Sequence, residues 1–323
     1  MQKAEVVMRL GVIGVGHMGK YHVNVLSQIQ DIQLIAVSDV NEDLVRPIAE
    51  EYHIDYFHTY EQMLPHVDAV TVATPSLTHY DICRELLKAG KHVLVEKPIT
   101  KRYEEAEELF KLADEKHLTL QVGHVERFNS AVIELKRILN NPLLIETRRL
   151  QPMVPRNIET GVVIDLMIHD IDLVLMLVDS KVNQIAAIGK RISNEKEDIA
   201  HAQMMFENGC MASLTVSRVT EEKVRKMEIS QSDSYLTIDF ATQDLMIHRR
   251  SSINYIVDPK KVGYRQESIV ERVSIHRDNP LRLQFINFVK TIRAENGTNE
   301  NRELDLSTIE TTLSIMKQVQ TCW

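Results

Sequence analysis

The sequence predicts an α/β protein: an N-terminal Rossmann domain with a doubly wound parallel sheet, then a C-terminal α+β domain with an open-faced, mostly antiparallel sheet. Three observations carry this. Short apolar runs alternate with amphipathic helical stretches up to residue 122, as βαβ units do. A GxGxxG stands between the first apolar run and the first helical stretch. Beyond residue 122 strands dominate, and their apolar residues alternate, as in a sheet with one covered face. Two domains are expected, 1–122 for a dinucleotide and 123–323 for substrate and self-association.

Arg9–Ile13, Gln33–Val37, Ala69–Ala73, His92–Glu96 and Thr119–Val122 are the expected strands of the first domain. Its helices are His17–Gln28, a stretch from about Glu42, His79–Ala89 closed by Gly90, and Tyr103–Lys116. In the second half, Asn129–Asn140 is helical, Leu143–Leu150 is extended, and Val162–Val178 is an apolar helix with ionisable residues in it. Ala202, Met204 and Phe206 alternate, and so do Ala212, Leu214 and Val216; between them Asn208-Gly209 suits a type I′ hairpin turn. Further strands are expected at Lys226–Ser230, Tyr235–Phe240, Asp244–His248, Ile253–Val257 and Ser268–Ser274. The helices Pro280–Glu295 and Ser307–Gln320 follow, joined by a loop at Asn296–Arg302. If the sheet's open face is apolar, it pairs with another subunit, giving a homo-oligomer, a dimer or a tetramer.

A net charge of −8 argues against nucleic acid or an anionic membrane as partner, but leaves room for a basic pocket that holds a phosphorylated small molecule. Cys83, Cys210 and Cys322 are far apart and make no CxxC, so neither zinc nor a disulfide framework is expected, and no metal. No run is long enough for a signal peptide or a membrane span, and a cytoplasmic location is expected.

In Gly14-Val15-Gly16-His17-Met18-Gly19 the first glycine permits the tight turn, the second admits the pyrophosphate, and the third packs helix on strand. Gly14, Gly16, His17 and Met18 are the expected phosphate contacts, at a helix N-terminus whose free N–H groups favour anions. Asp39 ends the second strand, where a carboxylate accepts the adenosine ribose hydroxyls and repels a 2′-phosphate, so NAD is expected over NADP. A plainer role for Asp39, capping the turn before Asn41, stays open.

Two clusters carry chemistry. Glu96-Lys97-Pro98 leaves a parallel strand at the edge where such sheets bind ligands, which puts Lys97 near a nicotinamide and Glu96 among the cofactor contacts. On the helix Val162–Val178, Asp165, His169 and Asp172 share a face. A carboxylate one turn before a histidine can fix its tautomer and make it a competent base. The alternatives are a surface lysine for Lys97 and a solvated edge or an interdomain ion pair for Asp165 and His169. Asp170 points elsewhere and is expected to be structural. Arg127, in Gly123–Asn129, and Arg156 lie at the expected domain junction, as sugar or phosphate contacts or as interdomain salt bridges.

These motifs resemble the glucose–fructose oxidoreductase/inositol dehydrogenase (GFO/IDH/MocA) family, through GVIGVGHMG at Gly11–Gly19, ATPSLTHYD at Ala73–Asp81, EKP at Glu96–Pro98 and Asp165-x-x-x-His169. The resemblance implies that Lys97 orients the substrate hydroxyl, often before a cis proline, that Asp165 and His169 are the catalytic pair, and that Thr74, Pro75 and His79 line the cofactor. The family's usual glycine run before the catalytic helix is replaced by Glu159-Thr160-Gly161-Val162-Val163. With GHVERFN at Gly123–Asn129 and IHDID at Ile168–Asp172, this resembles the subgroup acting on nucleotide-linked amino sugars, the UDP-N-acetylglucosamine 3-dehydrogenases. That implies Arg127, Asn129 and Arg156 as substrate contacts and NAD-dependent oxidation of a secondary ring hydroxyl, with the active site between the domains. A dehydrogenase of a free polyol such as inositol, and an NAD-binding sensor without turnover, are the alternatives.

Overall fold

The structure is a computed structural model that describes residues 7–153, 160–193, 195–258, 261–294 and 299–322. The chain forms two compact units. One takes the chain up to Phe128 and then Asn279–Ile309; the other takes Asn129–Asp278 and continues from Glu310. Both units are discontinuous in the chain, unlike the single boundary expected at 122/123.

In the first unit β1 (Met8–Ile13), β2 (Ile32–Ser38), β3 (Asp55–Phe57), β4 (Ala69–Val72), β5 (His92–Val95) and β6 (Leu120–Val122) form one sheet of order β3-β2-β1-β4-β5-β6. Every pairing is parallel. The helices are α1 (His17–Leu26), α2 (Glu42–Tyr52), α3 (Tyr60–Met63), α4 (His79–Lys88) and α5 (Tyr103–Glu115). The four residues of β4 are all buried, which is why the central strands read as unbroken apolar runs. Edge strand β3 is three partly exposed residues and left no such run to find. Strand order reverses between β1 and β4, so the crevice for a ligand lies at their C-terminal ends.

The second unit opens with α6 (Ser130–Ile138) and β7 (Leu144–Leu150). A π-helical turn, Val163–Met167, leads directly into α7 (Ile168–Val178). Next come β8 (Val182–Lys190), β9 (Ile199–Phe206), β10 (Met211–Ser217), β11 (Val224–Ser230), β12 (Ser234–Asp239), β13 (Asp244–Asp258) and β14 (Lys261–Arg272). Their order is β14-β13-β12-β11-β7-β10-β9-β8, antiparallel except for β7 with β10. The two strands expected at 244–248 and 253–257 are one strand whose register shifts between Arg250 and Ile253. The β9–β10 turn is not type I′. Of its residues only Gly209 has positive φ (86°), and Gly209 N donates to Phe206 O, so a tight turn over Glu207-Asn208 is followed by one left-handed glycine. The face of β9 and β10 away from the core is mixed: Met205 pairs with exposed Met211, while Glu146, Arg148, Lys226 and Glu228 share the centre of the sheet.

Helix α8 (Pro280–Arg293) returns the chain to the first unit. Asn279 caps it by accepting from Leu281 N and Arg282 N, and Pro280 fits the first turn. Its Leu281, Phe285, Phe288 and Val289 join the core of Leu10, Val12, Val23 and Leu26. In α9 (Arg302–Gln320), Gln318 closes edge strand β8: its amide oxygen accepts from Ala187 N (2.8 Å) and its amide nitrogen donates to Ile185 O (3.1 Å). Among the described residues no helix is long and apolar enough to cross a membrane.

Candidate active site

The glycine-rich loop is built as a dinucleotide requires. Gly14 has φ +85°, and a Cβ there would come within 2.8 Å of Ala73 O. A Cβ on Gly19 would collide with Gly14 O, whereas one on Gly16 would meet nothing within 4 Å, so the loop is open where a pyrophosphate would approach. His17 and Met18 are exposed at the start of α1. Asp39 fills the plainer of its two expected roles, the cap of the turn before Asn41. Its Oδ2 accepts from Val15 N (2.8 Å) and its Oδ1 from Asn41 N (2.9 Å). A carboxylate has about four acceptor positions, so two remain for ribose hydroxyls. These residues fit NAD.

The turn after β5 is held on both sides of Lys97. Glu96 is buried; its Oε1 lies 3.0 Å from His22 Nε2, and its Oε2 accepts from Lys97 N at 3.3 Å. Burial pushes the Glu96 carboxyl up, but the His22 hydrogen bond and the charges nearby hold it below the ordinary glutamate range. The Lys97–Pro98 bond is cis. His79, expected to line the cofactor, is buried, with Nδ1 2.8 Å from Pro98 O and Nε2 2.9 Å from Thr74 O. It ties the Thr74-Pro75 loop to the lysine turn. Burial lowers its pKa, against the pull of those two carbonyls and of Glu96. Sequence reasoning missed His22, whose partners are 49 and 74 residues away, beyond any local pattern.

In the second unit, Asp165 and His169 are half-buried, while Asp170 and Asp172 are buried. Asp170 accepts from Arg149 Nε (3.0 Å) and Nη2 (2.8 Å), a structural pair. The turn carrying Asp165 is fixed at its start by Glu197. That residue's backbone oxygen takes the Val162 N–H, and its carboxylate takes the Val163 N–H. A Cβ on Gly161 would strike the Glu197 carboxylate, which is the physical reason a glycine stands there. Behind it, buried Asp198 pairs with Arg218 at 2.6 Å, and Arg218 Nη1 donates to Thr160 O. Glu197 was not anticipated, because its role depends on a fold that brings it back to residues 34 positions earlier.

Of the expected substrate contacts, Arg127 pairs within the first unit with buried Asp305. Asn129 caps α6 by accepting from Ala131 N (3.1 Å) and donates to Phe240 O (3.1 Å). Arg156 lies outside the described residues.

Two family models match the chain. "Oxidoreductase family, NAD-binding Rossmann fold" covers residues 8–124, and "GFO/IDH/MocA C-terminal domain" covers 141–237. The UDP-N-acetylglucosamine 3-dehydrogenase of Acidithiobacillus ferrooxidans is 36% identical over 288 residues, 89% of each chain. A solved structure of that enzyme superposes with a TM-score of 0.87 at 33% identity over 98% of both chains. The myo-inositol 2-dehydrogenase of Thermotoga maritima is 28% identical over 65% of this chain and 69% of its own. The scyllo-inositol dehydrogenase of Lactobacillus casei, solved with NAD(H) and scyllo-inositol, shares the fold with a TM-score of 0.77 at 20% identity, over 98% of both chains. With both halves matched in order, the chain belongs to the GFO/IDH/MocA family of NAD-binding oxidoreductases.

Proposed function

We propose that the protein oxidises a secondary ring hydroxyl of a nucleotide sugar, the 3-hydroxyl of UDP-N-acetylglucosamine, to the ketone. The observation that carries this reading is the 36% identity to a UDP-N-acetylglucosamine 3-dehydrogenase along nine-tenths of both chains. NAD, when bound, accepts the hydride. The chain's own residues do the rest. Gly14, Gly16, His17 and Met18 receive the phosphates. Asp39 accepts the ribose hydroxyls, and Thr74, Pro75 and Glu96 border the nicotinamide end. Exposed Val40 and Leu77 offer apolar surface to the adenine. Lys97 holds the substrate hydroxyl and stabilises negative charge growing on its oxygen. His169, supported by Asp165, takes the hydroxyl proton. Arg127, Asn129 and Arg156 are the assigned contacts of sugar and diphosphate.

A free polyol is the second reading, favoured by the inositol dehydrogenases among the relatives. Following NADH formation with UDP-N-acetylglucosamine, other nucleotide sugars, free sugars and inositols separates the two. Turnover confined to inositols overturns the nucleotide-sugar reading, and NADH binding with no turnover on any of them favours a sensor. A cytoplasmic homo-oligomer belongs to the same proposal. A second copy on the sheet face carrying Met205, Met211 and Ile188 would cover those exposed side chains, and the solution mass checks it.

A further inference from the structure

His22 is fully buried on α1, and its ring joins two strand ends. Nδ1 lies 2.9 Å from Thr71 Oγ on β4, and Nε2 lies 3.0 Å from Glu96 Oε1. Phe285 meets the ring edge-on, with centroids 5.2 Å apart. One neutral tautomer satisfies both contacts: the Thr71 hydroxyl donates to Nδ1, and the Nε2 N–H donates to the carboxylate. Donors therefore converge on Glu96 from two sides, His22 on one oxygen and the Lys97 backbone N–H on the other. Gly123 lies close beside the carboxylate: a Cβ there would come within 3.2 Å of Oε1. Beyond Lys97, His79 fixes the Pro98 carbonyl.

We propose that His22 is a positioning residue for hydride transfer: through Glu96 it fixes the turn that sets the place of the Lys97 side chain. The inference rests on the role given to Lys97 above. The chain Thr71–His22–Glu96 runs from the middle of the sheet to the residue before the lysine. It orients a buried carboxylate that otherwise has several rotamers. Small displacements of a group that holds the reacting hydroxyl cost rate rather than affinity, about 100-fold for 1 Å. A histidine that merely filled the core would be replaceable by leucine without loss of turnover.

The test uses the full chain with NAD and UDP-N-acetylglucosamine, comparing wild type, His22→Leu, His22→Gln and Thr71→Val. His22→Leu is expected to lower kcat roughly 10- to 100-fold, with NADH affinity held within about threefold of wild type. The amide of His22→Gln can donate to the same carboxylate and is expected to recover most of the loss. Wild-type kcat in a folded, NADH-binding His22→Leu overturns the proposal, and so does an equal loss in the Gln and Leu variants. If His22→Leu does not fold, Thr71→Val decides: a severalfold fall in kcat with NADH affinity kept supports the chain, and full kcat overturns it. Absence of wild-type turnover would be a failure of the proposed substrate instead. Crystal structures of wild type and His22→Leu then carry the test. A shift of the Glu96-Lys97 turn by about 1 Å supports the positioning role, and superposable turns overturn it.

Discussion

Asp39 Oδ2 accepts the backbone N–H of Val15 at 2.8 Å, so the carboxylate that ends β2 is tied to the glycine-rich loop itself. The same side chain therefore shapes the loop and, in the proposed role, reads the ribose. Hydrogen bonds to charged groups are worth about 1.5–3 kcal/mol. Asp39→Ala is expected to raise the KM for NAD by roughly 10- to 100-fold and to narrow the preference over NADP, since the charge that repels a 2′-phosphate is gone. Steady-state kinetics with both cofactors checks this, and a wild type that prefers NADP contradicts it.

Lys97 and His169 are assigned to the reacting hydroxyl. Lys97→Met and His169→Ala should each lose about 100- to 10,000-fold in kcat, the range for general acid–base groups, while NADH titration shows near-normal affinity. Near-normal turnover in both variants would remove them from the chemistry.

Glu197 fastens the turn ahead of α7 through its backbone oxygen and its carboxylate. Glu197→Ala leaves the Val163 N–H buried without that acceptor, a loss of about 1–3 kcal/mol. Thermal unfolding should fall by several degrees, and kcat should fall with it, because Asp165 sits in the turn so fastened. Gly161→Ala should act in the same direction by displacing the Glu197 carboxylate. An unchanged Tm in both would refute this account of the turn.

Acid should weaken the fold in two stages. Burial lowers the His79 pKa, so below about pH 6.5 the unfolded chain binds a proton that the folded one refuses, and stability falls as pH falls. Glu96 and Asp198 are also lowered in the fold. For Asp198, burial opposes ionisation, but the backbone N–H of Ser193, the Arg218 pair and the Ile192 N–H outweigh it. Their contribution is present above the ordinary carboxylate range, about 4, and is lost as pH falls through the lowered folded values. The stability advantage of wild type over His79→Gln should therefore shrink between pH 7 and 5. An advantage that stays constant or grows would contradict the sign.

The sequence by itself determined the parallel sheet and the loop at its switch point. Strands buried on both faces must be apolar throughout, and a backbone that turns at φ +85° beneath Ala73 must be glycine. Both demands are local, so Gly14–Gly19, Asp39 and Glu96-Lys97-Pro98 were legible in single segments. The alternation of β9 and β10 was legible for the same reason, whereas the edge strands β3 and β8 were not. An edge has less to bury, and β8 is closed by Gln318 from the other end of the chain. Tertiary structure alone decided the rest. It returned α8 to the first unit because Phe285 and Phe288 find their core there. It gave Arg127 its partner Asp305 and Asn129 its partner Phe240, 178 and 111 residues away. It also set His22 between Thr71 and Glu96. A buried polar side chain must be matched by whatever the fold brings beside it, and no periodicity in the sequence encodes that neighbour.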